Sequence, residues 1–247
     1  MSFGFPTVNS TGIDDHLARW FDNIDVDFRA VNLNRLIVSL APRGRVLDIG
    51  CGSGALSATL LEAGCQVVSR DPSEHMVTMC RAHLERRGLV GDVAVGGVES
   101  IAGDASFDAV VALDVIEHIE DDVAALRAMR RALKPRGTLI LSVPALSKLY
   151  GPKDVDVGHF RRYDKENLLR AVSAADLRVE TCRYWNVLGV APVFLSNLRG
   201  KRLTENVRYA KTSTARALNR ALGTWFRYVE NPIRWPIGLT LIVTARR

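Results

Sequence analysis

No stretch of this 247-residue chain approaches the roughly 18 uninterrupted apolar residues that a membrane span needs. The longest candidate, Val187 to Leu198, is short, carries Pro192 and runs straight into Arg199. The amino-terminal stretch lacks the basic-then-apolar pattern of a secretion signal, because Asp14, Asp15 and His16 stand where the apolar part would sit. A cytoplasmic protein without a transmembrane segment is the expectation. Cysteine is scarce as well. The four present, Cys51, Cys65, Cys80 and Cys182, make no C-x-x-C pair and no zinc spacing, so reduced, buried thiols are expected. There is no internal repeat and no low-complexity tract.

What is present is the composition of a globular chain with a core, 47% hydrophobic and 24% charged. The length suits one α/β domain with an elaboration. The net charge of +6 is unevenly placed: residues 199–220 hold seven basic side chains (Arg199, Lys201, Arg202, Arg208, Lys211, Arg216 and Arg220) against Glu205 alone. Such a stretch favours an anionic partner, or it is a solvated helix face.

Hydrophobic periodicity orders the rest. From about Ile13 to Leu40 the residues Leu17, Trp20, Phe21, Ile24, Phe28 and Val31 recur at helical steps. Short apolar strands are expected at Arg45–Ile49, Cys65–Ser69, Val93–Val95, Phe107–Leu113 and Thr138–Val143. Helices fall between them, at 55–62, at 73–87 behind a Ser73 cap, and at 121–133, with 134–137 as a turn. That alternation marks a doubly wound α/β sheet. Beyond Val143 a polar connection runs to Tyr163 and Asp164 caps a helix to about Ala175. Leu177–Trp185 forms a sixth strand, 186–235 is mostly helical, and Gly238–Ala245 is a last strand of alternating type. The expected fold is a seven-stranded sheet, mostly parallel with an antiparallel last strand, in a single domain. Its parts are an N-terminal helical lid (1–43), a Rossmann-like cofactor core (44–185), a helical insertion (186–236) and the last strand (237–247).

A glycine turn between strand and helix lets backbone approach a ligand closely and aims helix N–H groups at it. Here it reads Asp48-Ile49-Gly50-Cys51-Gly52-Ser53-Gly54, which is neither the dinucleotide G-x-G-x-x-G nor a P-loop. Together with Asp71 after the second strand, Phe107–Val111 followed by Asp114–His118, and Leu133–Thr138, the stretch resembles the motifs of class I S-adenosylmethionine-dependent methyltransferases in their usual order. The resemblance implies that Asp48 meets the cofactor's amino group and Asp71 its ribose. Gly50, Cys51, Gly52, Gly54, Pro72, Leu113 and Asp114 would line the same site. Where the family often has an acid for the adenine, the spacing places Gly97, so Val98 or Glu99 is expected to serve instead.

On the acceptor side, Asp114, Glu117 and His118 stand at i, i+3 and i+4, one face of a helical turn, and His159 lies in the later connection. Two carboxylates and an imidazole suit general-base chemistry or part of a divalent-metal site. The pattern resembles ubiquinone-type O-methyltransferases and small-RNA 3′-end methyltransferases, in which matching residues ligate Mg²⁺ or a similar ion. That resemblance makes Asp114, Glu117, His118 and His159 the metal candidates. The catalytic candidates are His118, His159 and Glu117, with a purely structural Glu-His brace as the competing reading. Arg161 and Arg162 either clamp an anionic group or pair with Asp154, Asp156 or Asp164.

The sequence therefore points to methyl transfer from S-adenosylmethionine to a small-molecule acceptor, a quinone- or phenol-like compound or a secondary metabolite, with oxygen favoured. The acceptor is anionic or carrier-bound if the basic segment meets it, and a homodimer is left open. A nucleic-acid methyltransferase and a non-catalytic cofactor-binding subunit are the alternatives; the aromatic residues of the basic segment form no evident stacking platform for bases.

Overall fold

The computed structural model describes residues 27–100, 105–199 and 213–247. The expected lid residues Leu17, Trp20, Phe21 and Ile24, and the basic residues Lys201, Arg202, Arg208 and Lys211, lie outside them.

Helix α1 (Phe28–Leu40) is capped by Asp27, whose carboxylate accepts the N–H groups of Arg29 and Ala30. It leads into β1 (Arg45–Ile49), α2 (Ala55–Glu62), β2 (Gln66–Asp71), α3 (Glu74–Arg86) and β3 (Asp92–Val95). Then come β4 (Phe107–Leu113), α4 (Asp122–Ala132) and β5 (Leu133–Pro144). The remainder is α5 (Pro152–Asp156), α6 (Lys165–Ala174), β6 (Arg178–Trp185), α7 (Val190–Arg199), α8 (Ser213–Trp225) and β7 (Thr240–Arg246). No helix among the described residues is long and apolar enough to cross a membrane.

The strands form one seven-stranded sheet in the order β3-β2-β1-β4-β5-β7-β6. The pairs from β3 to β5 are parallel, and β7 runs antiparallel to both β5 and β6. Strand alternation divides the apolar side chains between two faces. Leu47, Val110, Leu139 and Leu141 pack with Ala125, Leu126 and Met129 of α4 and with Leu168 and Val172 of α6. Val46, Val111, Ile140 and Ile242 pack with Leu33, Leu36 and Ile37 of α1, Leu60 of α2, and Trp185 and Phe226. Each face is covered by helices, as a parallel sheet requires.

Four expectations need correction. β7 does not alternate between buried and exposed positions: it lies inside the sheet, so Leu241 and Val243 join one core while Ile242 joins the other. β5 starts at Leu133 rather than after a turn at 134–137, with an irregular register between Phe107 and Ala109 opposite it. Asp164 precedes α6 but makes no side-chain cap; its carboxylate instead accepts the backbone N–H and the hydroxyl of Ser147. All four cysteines are free thiols, but Cys182 is only half-buried.

The segment after β5 is tied at its base. Tyr163 N–H donates to Pro144 O at 2.9 Å and Leu146 N–H donates to Tyr163 O at 3.0 Å. Residues 146–162 therefore leave and rejoin the sheet at one point. The helical segment after β6 is anchored by buried Glu230, which accepts the N–H groups of Asn186 at 2.7 Å and Val187 at 3.2 Å. Phe226 of this segment packs edge-on to Trp185, with ring centroids 5.0 Å apart.

Candidate active site

The glycine turn leaves β1 with Gly50, Gly52 and Gly54 all at positive φ, which glycine alone adopts without strain. Two of them also have no room for a side chain. A Cβ at Gly50 would lie 2.5 Å from Val115 Cγ2, and one at Gly54 would lie 2.5 Å from Cys80 Sγ. The turn is held on β2: Gly50 and Cys51 both donate to Arg70 O, at 2.8 and 3.1 Å. Asp71 completes the brace, accepting Gly52 N–H on one carboxylate oxygen and Ser73 N–H on the other, each at 2.9 Å.

Asp48 is buried and accepts a 2.6 Å hydrogen bond from Ser57 Oγ, which also contacts Ser69 Oγ at 2.9 Å. Burial pushes its pKa up to about 7, against the pull of the Ser57 bond. The Cys51 thiol is driven well above its ordinary range by its hydrogen bond with Cys80 and by burial, so it stays protonated.

A cavity of about 300 Å³ opens over this turn. Asp48, Gly50, Cys51, Gly52, Leu113 and Asp114, all expected at the cofactor, line it together with Ser53, Ala55 and Leu56. Gly54 shapes the turn as the N-cap of α2. Asp71 lies behind the wall, bonded to Gly52, and Pro72 beside it is exposed. Val98 is buried in the core, which leaves only its backbone for a ligand, and Glu99 is exposed at the sheet edge. Gly96 N–H donates to Asp71 O at 2.9 Å, so this edge adjoins the end of β2.

The opposite wall falls in the expected N-terminal helical lid, but its lining residues were not singled out from sequence. It is the first turns of α1, with Asp27, Arg29, Ala30, Leu33 and Asn34. The available signal was position: a helix that feeds the first strand crosses the carboxyl edge of the sheet, where ligands of such folds bind.

Past β4 the expected helical face does not form. Asp114 has φ 53°, in the left-handed region, and only Ile116–His118 make a short 3-10 turn. Asp114 is thereby separated from Glu117 and His118; it accepts Ser142 Oγ at 3.0 Å and faces the cavity. Glu117, His118 and His159 do converge, with one ligand-type atom from each within 4.8 Å of the others. His159 comes from the segment tied at Tyr163. Phe160 N–H donates to Glu117 O at 2.8 Å, and the two imidazoles meet edge to face at 4.7 Å.

Glu117 is fully buried, and neither carboxylate oxygen has a hydrogen-bond partner among the described residues. Burial raises its pKa well above the carboxylate range, with Asp114 adding to the shift. Burial, and then the neighbouring His159, lower the pKa of His118, keeping it neutral at pH 7. His118 Nδ1 lies 3.2 Å from Gly158 O, so Nδ1 carries the proton and Nε2 is left as an acceptor. Burial would raise the Asp154 pKa, but hydrogen bonds from His159 and Arg162 overcome it and hold the carboxyl ionised. Arg161 and Arg162 are committed to protein acids, Arg161 to Asp122 at 3.1 Å and Arg162 to Asp154 at 2.8 Å.

With this geometry in place, the comparisons become informative. The family model for a methyltransferase domain matches residues 47–141. The chain is 40% identical over 115 residues to a ubiquinone biosynthesis O-methyltransferase of Xanthomonas axonopodis pv. citri, covering 45% of this chain and 48% of that protein. It thus spans about half the length of the relative it matches. Among solved structures, an S-adenosylmethionine-dependent methyltransferase of Thermotoga maritima superposes with TM-score 0.62 at 20% identity, covering 95% of this chain and 96% of that one. The [4+2]-cyclase SpnF superposes with TM-score 0.58 at 23% identity, covering 89% and 82%. These two likenesses are of fold. Residues 47–141 thus match a methyltransferase domain, and the fold is like that of an S-adenosylmethionine-dependent methyltransferase. Over the matched 115 residues the similarity is to ubiquinone biosynthesis O-methyltransferases.

Proposed function

We propose that the protein transfers the methyl group of S-adenosylmethionine to an oxygen of a small phenol- or quinone-like acceptor. The observation that carries this reading is adjacency. β1 and β4 are neighbours, and Val115 packs onto Gly50, so the cavity at the glycine turn lies next to the Glu117–His118–His159 cluster. Asp48 would meet the cofactor's ammonium, Arg29 its carboxylate, and Asp71 or the Val98–Glu99 backbone the nucleoside end.

Methyl transfer from a sulfonium is an in-line displacement, so the site must align the acceptor oxygen with the methyl group and take up its proton. An imidazole with its Nε2 lone pair available is suited to that proton; His118, whose pKa burial lowers, offers one, and His159 Nε2 lies beside it. The 40%-identical O-methyltransferase relative supports a small-molecule acceptor. α7 packs near the 3-10 turn at Ser147–Leu149, which supports the 186–236 insertion as a roof over the acceptor. Exposed Arg216 and Arg220 on α8 favour an anionic or carrier-bound acceptor, and exposed Phe194, Leu195 and Leu218 favour a homodimer. A cytoplasmic location belongs to the same reading.

A second reading has its own observation. Among the described residues Glu117 holds two unpaired oxygens beside two imidazoles, a donor set that suits a divalent cation with affinity for imidazole, such as Zn²⁺ or Mn²⁺, better than the all-oxygen shell Mg²⁺ prefers. When bound, such an ion would polarise acceptor oxygens; Glu117, His118 and His159 would hold it, with Asp114 outside the group.

The test is direct. The purified protein, incubated with S-adenosylmethionine and a panel of catechols and phenols, should yield products 14 Da heavier by mass spectrometry. Methylation of RNA alone, or of nothing in the panel, would overturn the reading.

A further inference from the structure

Asp154 is the third residue of the five-residue helix α5 and is 2% exposed. Its carboxylate is fully engaged. One oxygen accepts His159 Nδ1 at 2.9 Å and Arg162 Nε at 2.8 Å, while the other accepts Gly151 N–H at 3.0 Å. The backbone closes the same unit, because His159 N–H donates to Asp154 O at 2.8 Å and Tyr150 OH donates to His159 O at 2.7 Å. Among the described residues the His159 ring is hydrogen-bonded through Nδ1. Its Nε2 faces the interior, 3.9 Å from Glu117 Oε1.

We propose that Asp154 is a positioning residue, which fixes His159 in the tautomer protonated on Nδ1 and so presents the Nε2 lone pair to the space beside Glu117 and His118. A carboxylate accepts but does not donate, so Nδ1 facing it must carry the hydrogen. Arg162 shares the same oxygen and keeps the carboxylate from swinging towards its own helix. Gly151 pins the other oxygen, so the acceptor for His159 is set by two further contacts within one tied segment. An imidazole without this partner is free to move its proton to Nε2, which removes the acceptor the site presents. The inference rests on the proposed function only for what Nε2 then does; the tautomer itself stands apart from any activity.

Long-range ¹H–¹⁵N spectra of histidine-labelled protein, assigned with His159→Gln, read the tautomer directly. Wild type at pH 8 should show His159 protonated on Nδ1. A wild-type spectrum protonated on Nε2 overturns the proposal without any variant. Asp154→Ala, checked for folding by its melting curve, should shift His159 towards the Nε2 tautomer. It should also lower kcat by roughly 10- to 100-fold, the usual cost of losing a partner that orients a functional histidine, with cofactor Kd unchanged. Asp154→Asn, which keeps an acceptor oxygen and serves if the alanine variant fails to fold, should retain the Nδ1 tautomer and lose less. An unchanged tautomer in folded Asp154→Ala sinks the positioning role. If the tautomer responds as expected while wild type methylates no acceptor, the positioning holds and the methyl-transfer reading is the one that fails.

Discussion

His159 Nε2 lies 3.9 Å from Glu117 Oε1, inside a space where neither Glu117 oxygen has a hydrogen-bond partner among the described residues. A buried acid in that state is an energetic liability in its ionised form. It stands beside two imidazoles, and in the proposed function that cluster is the acceptor side.

That liability has a measurable sign. The folded-state pKa of Glu117 is raised above its unfolded value, so ionisation favours the unfolded chain and stability falls as pH rises above the unfolded pKa. Glu117→Gln removes this dependence. The variant should melt a few degrees above wild type at pH 8, since ~1 kcal/mol corresponds to roughly 2–4 °C for a domain of this size. At pH 5 the gap should close. Activity should fall at both pH values. Equal melting temperatures at pH 8 would show that Glu117 is not the strained acid described here.

Asp48 gives a second titration, with a pKa of about 7 from burial. Below that pH the carboxyl is mostly protonated, and a cofactor ammonium drawn against it would expel the proton. Binding of S-adenosylmethionine at pH 6 should therefore release most of one proton, and at pH 8.5 almost none, by calorimetry in buffers of different ionisation enthalpy. Asp48→Asn should abolish the release at pH 6. Release that persists in the variant would assign the proton elsewhere.

Asp71 both braces the glycine turn and faces the nucleoside end in the proposed complex. Asp71→Ala should weaken cofactor binding by roughly 1.5–3 kcal/mol, the usual cost of losing a hydrogen bond to a charged group. Asp71→Asn keeps the shape but can accept only on one atom, so an intermediate loss is expected. Unchanged affinity in a folded alanine variant would remove Asp71 from the site.

The two readings of the acceptor side separate under a chelator. If Glu117, His118 and His159 hold a cation, EDTA abolishes turnover and Zn²⁺ or Mn²⁺ restores it. Full activity in EDTA leaves the imidazoles as proton acceptors and discards the ion. Titration calorimetry with the metal alone gives the same answer without an acceptor.

The glycine-turn half of the candidate site was legible because its geometry is local. The apolar run Phe107–Leu113 is a buried parallel strand, the glycines fall where φ is positive, and Ser73 accepts the Met76 N–H as a cap should. The acceptor half depends on contacts that sequence spacing does not encode. Asp114 looked helical by spacing, yet the chain turns left-handed there, with its N–H donating to Ser142 O at 2.9 Å. Asp164 stood where a cap belongs, but Ser147, seventeen positions earlier, took its carboxylate. Asp154 appeared only as a partner for arginine, because its bond to His159 becomes visible once the turn at Gly158 is known. The wall made by α1 was hidden for the same reason: it is a tertiary neighbour of the glycine turn.

The bridge between Ala145 and Tyr163 has a consequence for how such a chain changes over time. Everything between those two residues leaves the sheet and rejoins it at one bridge, with Phe160 and Arg161 as further ties to the chain after β4, and it carries both Asp154 and His159. The stretch is in effect a cassette. Under the proposed function, its interior is the part to exchange for a different acceptor, with the strands, the glycine turn and the Asp48–Ser57 pair left in place. A transplant of 146–162 from a relative, spliced at the same two residues, is accordingly the smallest exchange expected to alter what is methylated without altering what donates the methyl group.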